Sequence, residues 1–184
     1  YFIYSYRPYW SYWAHEYGHT LGIPHIGSSR SNYSFQQYDL MGDQDARREI
    51  SGWSRFAVTK WLEDKWVYCK KTANINSEIV YLSDLNSKGG GNKLVVIPIS
   101  STKTLIAESR RSTKFVGSQR INGNQNGVFV YVYDSALGHN QEYLTLLPSA
   151  SDSVLRTNES VTYDGVTIKV LSIGSEDKIL ITKQ

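Results

Sequence analysis

The chain has 184 residues and a formal net charge of +3 at pH 7, with 40% apolar and 20% charged residues. The length fits one domain or two small ones, and the composition predicts a packed core and argues against disorder. The positive charge is mild and scattered, so we expect no nucleic-acid partner, and the apolar runs are too short to predict a transmembrane segment.

The first predicted element is an amphipathic helix that ends near Gly22, a residue type that commonly follows the last turn of a helix. Apolar residues recur along one face of this helix with helical spacing. They are Trp10, Trp13, Ala14, Tyr17 and Leu21. Because His15 and His19 lie on the opposite face, we expect the aromatic face to be buried and the histidines to face a cleft.

The segment "HEYGHTLGIPH", which starts at His15, fills every fixed position of the pattern H-E-x-x-H-x-x-G-x-x-H. His15 and His19 are four residues apart on a helix, so both imidazoles can reach one Zn²⁺. A positive φ at Gly22 would turn the chain and bring back His25 as the third ligand. Glu16 is placed to act as a general base toward a water molecule activated by the metal. Three nitrogen ligands and an open fourth position are typical of catalytic zinc.

A second helix is predicted over residues 50–66, and the chain changes character near residue 67. The inner face of this helix is predicted from Ile50, Trp53, Phe56, Ala57 and Trp61. Beyond it, eight short runs rich in β-branched and aromatic residues predict strands. They cover residues 77–83, 93–100, 103–109, 127–134, 141–147, 160–163, 166–173 and 178–183. Strands at this density predict an antiparallel β-sandwich.

The sequence resembles a known clan of zinc proteases. The histidine motif followed by "YDLMGD" resembles the metzincins. More narrowly, "YDLMG" and the Trp-rich segment "ISGWSRFAVTKWL" are similar to the immune inhibitor A family of secreted bacterial metallopeptidases. The later segment "TLIAESRR…GVFVYVYD" is similar to the β-rich region that follows the catalytic domain in that family.

For the site, the resemblance implies that His15, His19 and His25 bind Zn²⁺, that Glu16 is the base, and that Met41 forms a structural turn beneath the metal. Without the resemblance, a single methionine in a loop is more often a core residue. The resemblance also implies secretion and protein or peptide substrates.

For the fold, the resemblance implies an α+β class in two parts. Residues 1–68 would be the helical C-terminal half of a metzincin-like protease domain, and residues 69–184 a β-sandwich domain. The N-terminal half of the catalytic domain would then be missing from this chain and is a possible partner for it.

Two positions depart from the family pattern. Many relatives carry an acidic residue at the position of His25, and some metzincins carry a tyrosine at the position of Asp43, where it helps to hold the oxyanion. Tyr33 and Tyr38 are nearby candidates for that function, although most tyrosines in so tyrosine-rich a chain are packing residues.

Other polar residues suggest weaker hypotheses. Asp39, Asp43 and Asp45 cluster near Met41 and could bind Ca²⁺, although their spacing does not match an EF-hand loop. Cys69 is the single cysteine, so it is either free or paired with a segment outside this chain.

Three more polar residues lie on the β-rich part of the chain. His139 lies in the turn-like segment "LGHN" and is interpreted as an ordinary loop histidine. The neighbours Arg110 and Arg111 can read a substrate carboxylate, but a solvated strand end is the preferred interpretation.

The sequence therefore supports two hypotheses. The first is a secreted zinc endopeptidase that hydrolyses peptide bonds with Glu16 as the base. The alternative is a non-catalytic secreted adhesion or binding module with a vestigial zinc helix. The glutamate beside the first histidine favours the enzyme.

Overall fold

The structure is a computed structural model that describes residues 9–27, 35–44, 48–111, 126–139, 141–147 and 154–184. One α-helix, α1, covers Tyr9–Thr20, and short helical turns lie at Phe35–Tyr38, Ser54–Val58, Asp64–Trp66 and Thr72–Asn74. The strands are β1 (Val67–Cys69), β2 (Ser77–Ser83), β3 (Leu94–Pro98), β4 (Lys103–Arg110), β5 (Gly127–Asp134), β6 (Leu144–Leu147), β7 (Ser160–Tyr163), β8 (Val166–Ser172) and β9 (Glu176–Lys183).

The protein is mostly β, so the predicted α+β fold with a helical first half followed by a sandwich is wrong. Strand accounts for 41% and helix for 19% of the structure. The predicted helix over residues 50–66 is replaced by two short helical turns, Ser54–Val58 and Asp64–Trp66. Lys60 adopts a left-handed φ of 59°, which ends the helical path. Trp61, expected on the buried face, is 55% exposed.

The strands form two sheets, and β2 to β9 lie within a few residues of their predicted positions. The five-stranded sheet has the order β1-β3-β4-β5-β6, and the four-stranded sheet has the order β2-β9-β8-β7. Strand β1, which the residue pattern does not predict, has three residues and pairs in parallel with β3. All other neighbouring strands are antiparallel.

The five-stranded sheet is covered on both faces, because alternate residues of β3, β4 and β5 belong to two different cores. One core packs against the four-stranded sheet and includes Val95, Ile97, Leu105, Ala107 and Val130. The other includes Leu94, Val96, Ile106, Phe129 and Tyr131, together with Ile23, Met41 and Ile50 from the segment before β1. That segment therefore packs over one face of the five-stranded sheet. The division of the chain at residue 68 remains a prediction.

The buried face of helix α1 is the one opposite to the predicted face. Trp10, Trp13 and Tyr17 are exposed, and Trp13 keeps 67% of its surface in solvent, whereas His15 and Gly18 are buried. A Cβ on Gly18 would lie 2.6 Å from the sulfur of Met41, so the absent side chain lets the helix approach the Met41 loop.

Within the described residues, no helix is long and apolar enough to cross a membrane.

Candidate metal centre

The three predicted metal ligands come together at the C-terminal end of α1. The Nε2 atom of His15 lies 3.1 Å from that of His19 and 2.9 Å from that of His25. The Nε2 atoms of His19 and His25 are also 2.9 Å apart. Zn–N bonds of about 2.0–2.1 Å in a tetrahedral arrangement separate the nitrogens by about 3.3 Å. The triangle is thus close to the size that one zinc ion requires.

Hydrogen bonds fix which ring nitrogens of the first two histidines carry a proton. His15 Nδ1 lies 2.7 Å from the carbonyl oxygen of Leu40, and His19 Nδ1 lies 2.9 Å from that of Ile23. A carbonyl oxygen only accepts, so each Nδ1 must donate and each neutral ring keeps a lone pair on Nε2. The two Nε2 atoms are 3.1 Å apart, and their lone pairs repel each other unless a cation lies between them. The donor set therefore fits a bound metal.

The end of α1 delivers the third ligand. The Ile23 amide donates to the Gly18 carbonyl at 3.1 Å and the Gly22 amide donates to the His19 carbonyl at 3.0 Å, which is the Schellman arrangement. Gly22 has φ 85°, as predicted. The chain then turns back, so that His25 reaches the other two histidines.

The loop that contains Met41 lies beneath this centre. The Met41 side chain is fully buried against Gly18, and the preceding carbonyl, of Leu40, orients His15. Asp39 holds the loop, since its Oδ1 accepts the Met41 amide and its Oδ2 the Ser51 amide, both at 2.7 Å. The structural turn assigned to Met41 by the resemblance stays a prediction.

Two of the three aspartates in the calcium hypothesis already have partners in the protein. Both oxygens of Asp39 are taken by backbone amides, and Asp43 lies 3.7 Å from the Arg48 guanidinium. Asp45 lies outside the described residues. Among those described, the three histidines are the group whose ligand atoms all lie within 4.8 Å of one another.

A buried ionic cluster ties the Met41 loop to β4 and β5. Arg110 pairs with Glu108 on its own strand and donates to the Tyr38 carbonyl at 2.5 Å. Glu108 also accepts the Gly52 amide at 2.7 Å and the Tyr131 hydroxyl at 2.6 Å. Burial lowers the pKa of Arg110, but the surrounding carboxylates outweigh it, so the pKa is raised and the charge is retained.

These contacts correct the interpretation of both arginines. Arg110 is 2% exposed, so it is neither a solvated strand end nor a reader of substrate. Arg111 is occupied structurally by its pair with Asp177 and a 2.9 Å hydrogen bond to the Gly174 carbonyl. Their sequence position at the end of β4 does not reveal Tyr38, Gly174 and Asp177, the partners that are distant in the chain.

The electrostatics favour a neutral third ligand. Burial lowers the pKa of His25 and the neighbouring imidazoles lower it further, while Glu16 acts in the opposite direction. A neutral ring is the form that binds a metal. Glu16 itself is half-buried and is the helix residue next to His15.

His139 also lies at this centre, although it was interpreted as an ordinary loop histidine. Its ring centroid is 5.1 Å from that of His25 and 6.5 Å from that of His19. Its Nδ1 accepts the backbone amide of His25 at 3.3 Å. The two residues are 114 positions apart, so no local pattern could have shown the contact.

Three other residues named by the sequence are not among the three ligands. Tyr38 is buried in the core with its ring against Phe129, so its hydroxyl is not a candidate oxyanion donor, and Tyr33 lies outside the described residues. Cys69 is free and exposed.

Comparison of the chain with protein-family models, with curated proteins and with solved structures gives no match in any of the three. The functional conclusion therefore rests on the residues of the centre itself.

Proposed function

We propose that the protein is a secreted zinc-dependent endopeptidase with protein or peptide substrates, related to the metzincins. The observation that carries the proposal is the convergence of three Nε2 atoms, 2.9–3.1 Å apart, with two of the rings held in the tautomer that binds a metal. His15, His19 and His25 would hold the ion. When bound, Zn²⁺ would activate a water molecule and polarise a peptide carbonyl.

The remaining roles in the proposed reaction, which are ligand orientation and proton transfer, belong to residues of this chain. The carbonyls of Leu40 and Ile23 keep His15 and His19 oriented, which keeps their lone pairs on the inner side. Glu16 lies outside the three ligands and can take the proton from the attacking water. It would return the proton to the leaving amine nitrogen, so that the base is regenerated after each cleavage.

A chelator experiment tests the proposal. We expect the protein to cleave unfolded casein, to lose that activity after incubation with a chelator and dialysis, and to regain it when one equivalent of Zn²⁺ is added. The measurement is the release of acid-soluble peptides, with circular dichroism recorded in parallel to show that the chain stays folded.

The outcomes separate the two hypotheses. A protein that binds zinc but never cleaves casein would be the adhesion or binding module with a vestigial zinc helix. Cleavage that persists in the metal-free protein would exclude zinc chemistry at the three histidines.

A further inference from the structure

A loop of the five-stranded sheet closes one side of the metal centre. The loop joins β5 to β6 and carries Leu137, Gly138 and His139. Two hydrogen bonds fasten it to the segment that carries His25. The Gly27 amide donates to the Gln141 carbonyl at 2.9 Å, and the Tyr143 hydroxyl donates to the Pro24 carbonyl at 3.1 Å. The sheet therefore fixes where the third ligand lies.

The contact between His139 and His25 defines a donor at the edge of the centre. His139 Nδ1 accepts the His25 amide at 3.3 Å, so Nδ1 carries no proton. The neutral ring must then carry its proton on Nε2. Because the side chain is exposed, that N–H is available to a ligand that lies beside the metal.

A cavity of about 210 Å³ opens next to His139. It lies between the His25 segment, the turn Ser54–Val58 and the sheet loop. Its walls include Pro24, Trp53, Val58, Tyr133, Leu137 and Tyr143, and no Asp, Glu, Lys or Arg is among the described lining residues. The Tyr143 hydroxyl is already bonded to Pro24. A pocket with such walls is suited to one uncharged, apolar side chain.

We propose that this loop is part of the substrate site, with His139 Nε2–H donating to a peptide carbonyl and the adjoining cavity taking an apolar side chain of the same peptide. The inference rests on the proposed function and specifies its substrates. They are peptides with a large aliphatic or aromatic residue next to the bond that is cleaved. It also makes the sheet, rather than α1 alone, responsible for substrate selection.

Binding of two peptide hydroxamates to the zinc-loaded protein tests the proposal without any catalytic turnover. Both probes chelate zinc through two oxygens, and they differ only in carrying a leucine or a glycine beside the hydroxamate. We expect calorimetry to show at least tenfold tighter binding of the leucine probe. Val58→Trp should remove this preference by filling the cavity, while the exposed control Ile79→Trp on β2 should keep it.

Variants of His139 test the hydrogen bond. His139→Ala should weaken both probes by about two- to tenfold, as expected for one lost hydrogen bond, while zinc content stays at one ion per chain. His139→Gln, which keeps an N–H donor, should restore much of the affinity. Equal binding of both probes to the zinc-loaded protein, or unchanged affinity in His139→Ala, would overturn the inference. Failure of the wild-type chain to hold zinc would instead overturn the proposed function.

Discussion

Glu16→Gln should lower the kcat for peptide hydrolysis by about 10²–10⁴-fold, the usual contribution of a general base. Glutamine has nearly the same shape as glutamate but cannot accept the proton of the attacking water. Since Glu16 is not one of the three ligands, zinc content should stay at the wild-type value. The measurement is steady-state hydrolysis of a fluorogenic peptide, with metal analysis of the same samples.

Glu63→Gln is the matched control, because this glutamate is exposed and pairs with Lys65 rather than with a residue of the centre. It should leave kcat unchanged. Full activity in Glu16→Gln would show that another group accepts the proton, and the mechanism would then be wrong.

Arg110→Met should lower the free energy of unfolding by about 3–5 kcal/mol, as expected when a buried ion pair loses one partner. Glu108 is fully buried and would keep its charge without the arginine. Asp39 and Glu49 would lose the same neighbouring cation. The Tyr38 carbonyl would lose a donor as well, so the loop that supports Met41 would loosen. Urea denaturation monitored by tryptophan fluorescence measures the change.

Two further variants keep this prediction testable if Arg110→Met folds poorly. Adding Glu108→Gln should recover part of the loss, because a neutral amide oxygen can still accept the Gly52 amide. Lys65→Met removes one member of a pair with Glu63 in which both side chains are more than half exposed, and it should cost no more than about 1 kcal/mol. Equal effects of Arg110→Met and Lys65→Met would contradict the structural importance of the buried cluster.

Local features of this protein could be predicted from sequence, because they depend on residues that are close in the chain. The meeting of His15 and His19 follows from helical spacing, and the left-handed φ of Gly22 follows from the way helices end. The strands from β2 to β9 follow from short runs of β-branched and aromatic residues bounded by turns.

Features that depend on tertiary contacts could not be predicted. Periodicity shows which face of α1 is apolar, but the buried face is the one that carries His15 and Gly18, because it packs on Met41. The segment before β1 was expected to be a helical half-domain, yet it covers a sheet whose central strands are apolar on both faces. The contacts of Arg110 and His139 span 72 and 114 residues.

Zinc content is the most direct test of the central claim, that His15, His19 and His25 bind one metal ion. We expect the folded wild-type protein to bind one Zn²⁺ per chain and His25→Ala to bind it at least about 100-fold more weakly, since losing an outer partner of a ligand alone costs about 10- to 100-fold. His139→Ala, which changes a histidine beside the ligands, should still bind one ion. Zinc binding by His25→Ala as tight as that of the wild type would contradict the account.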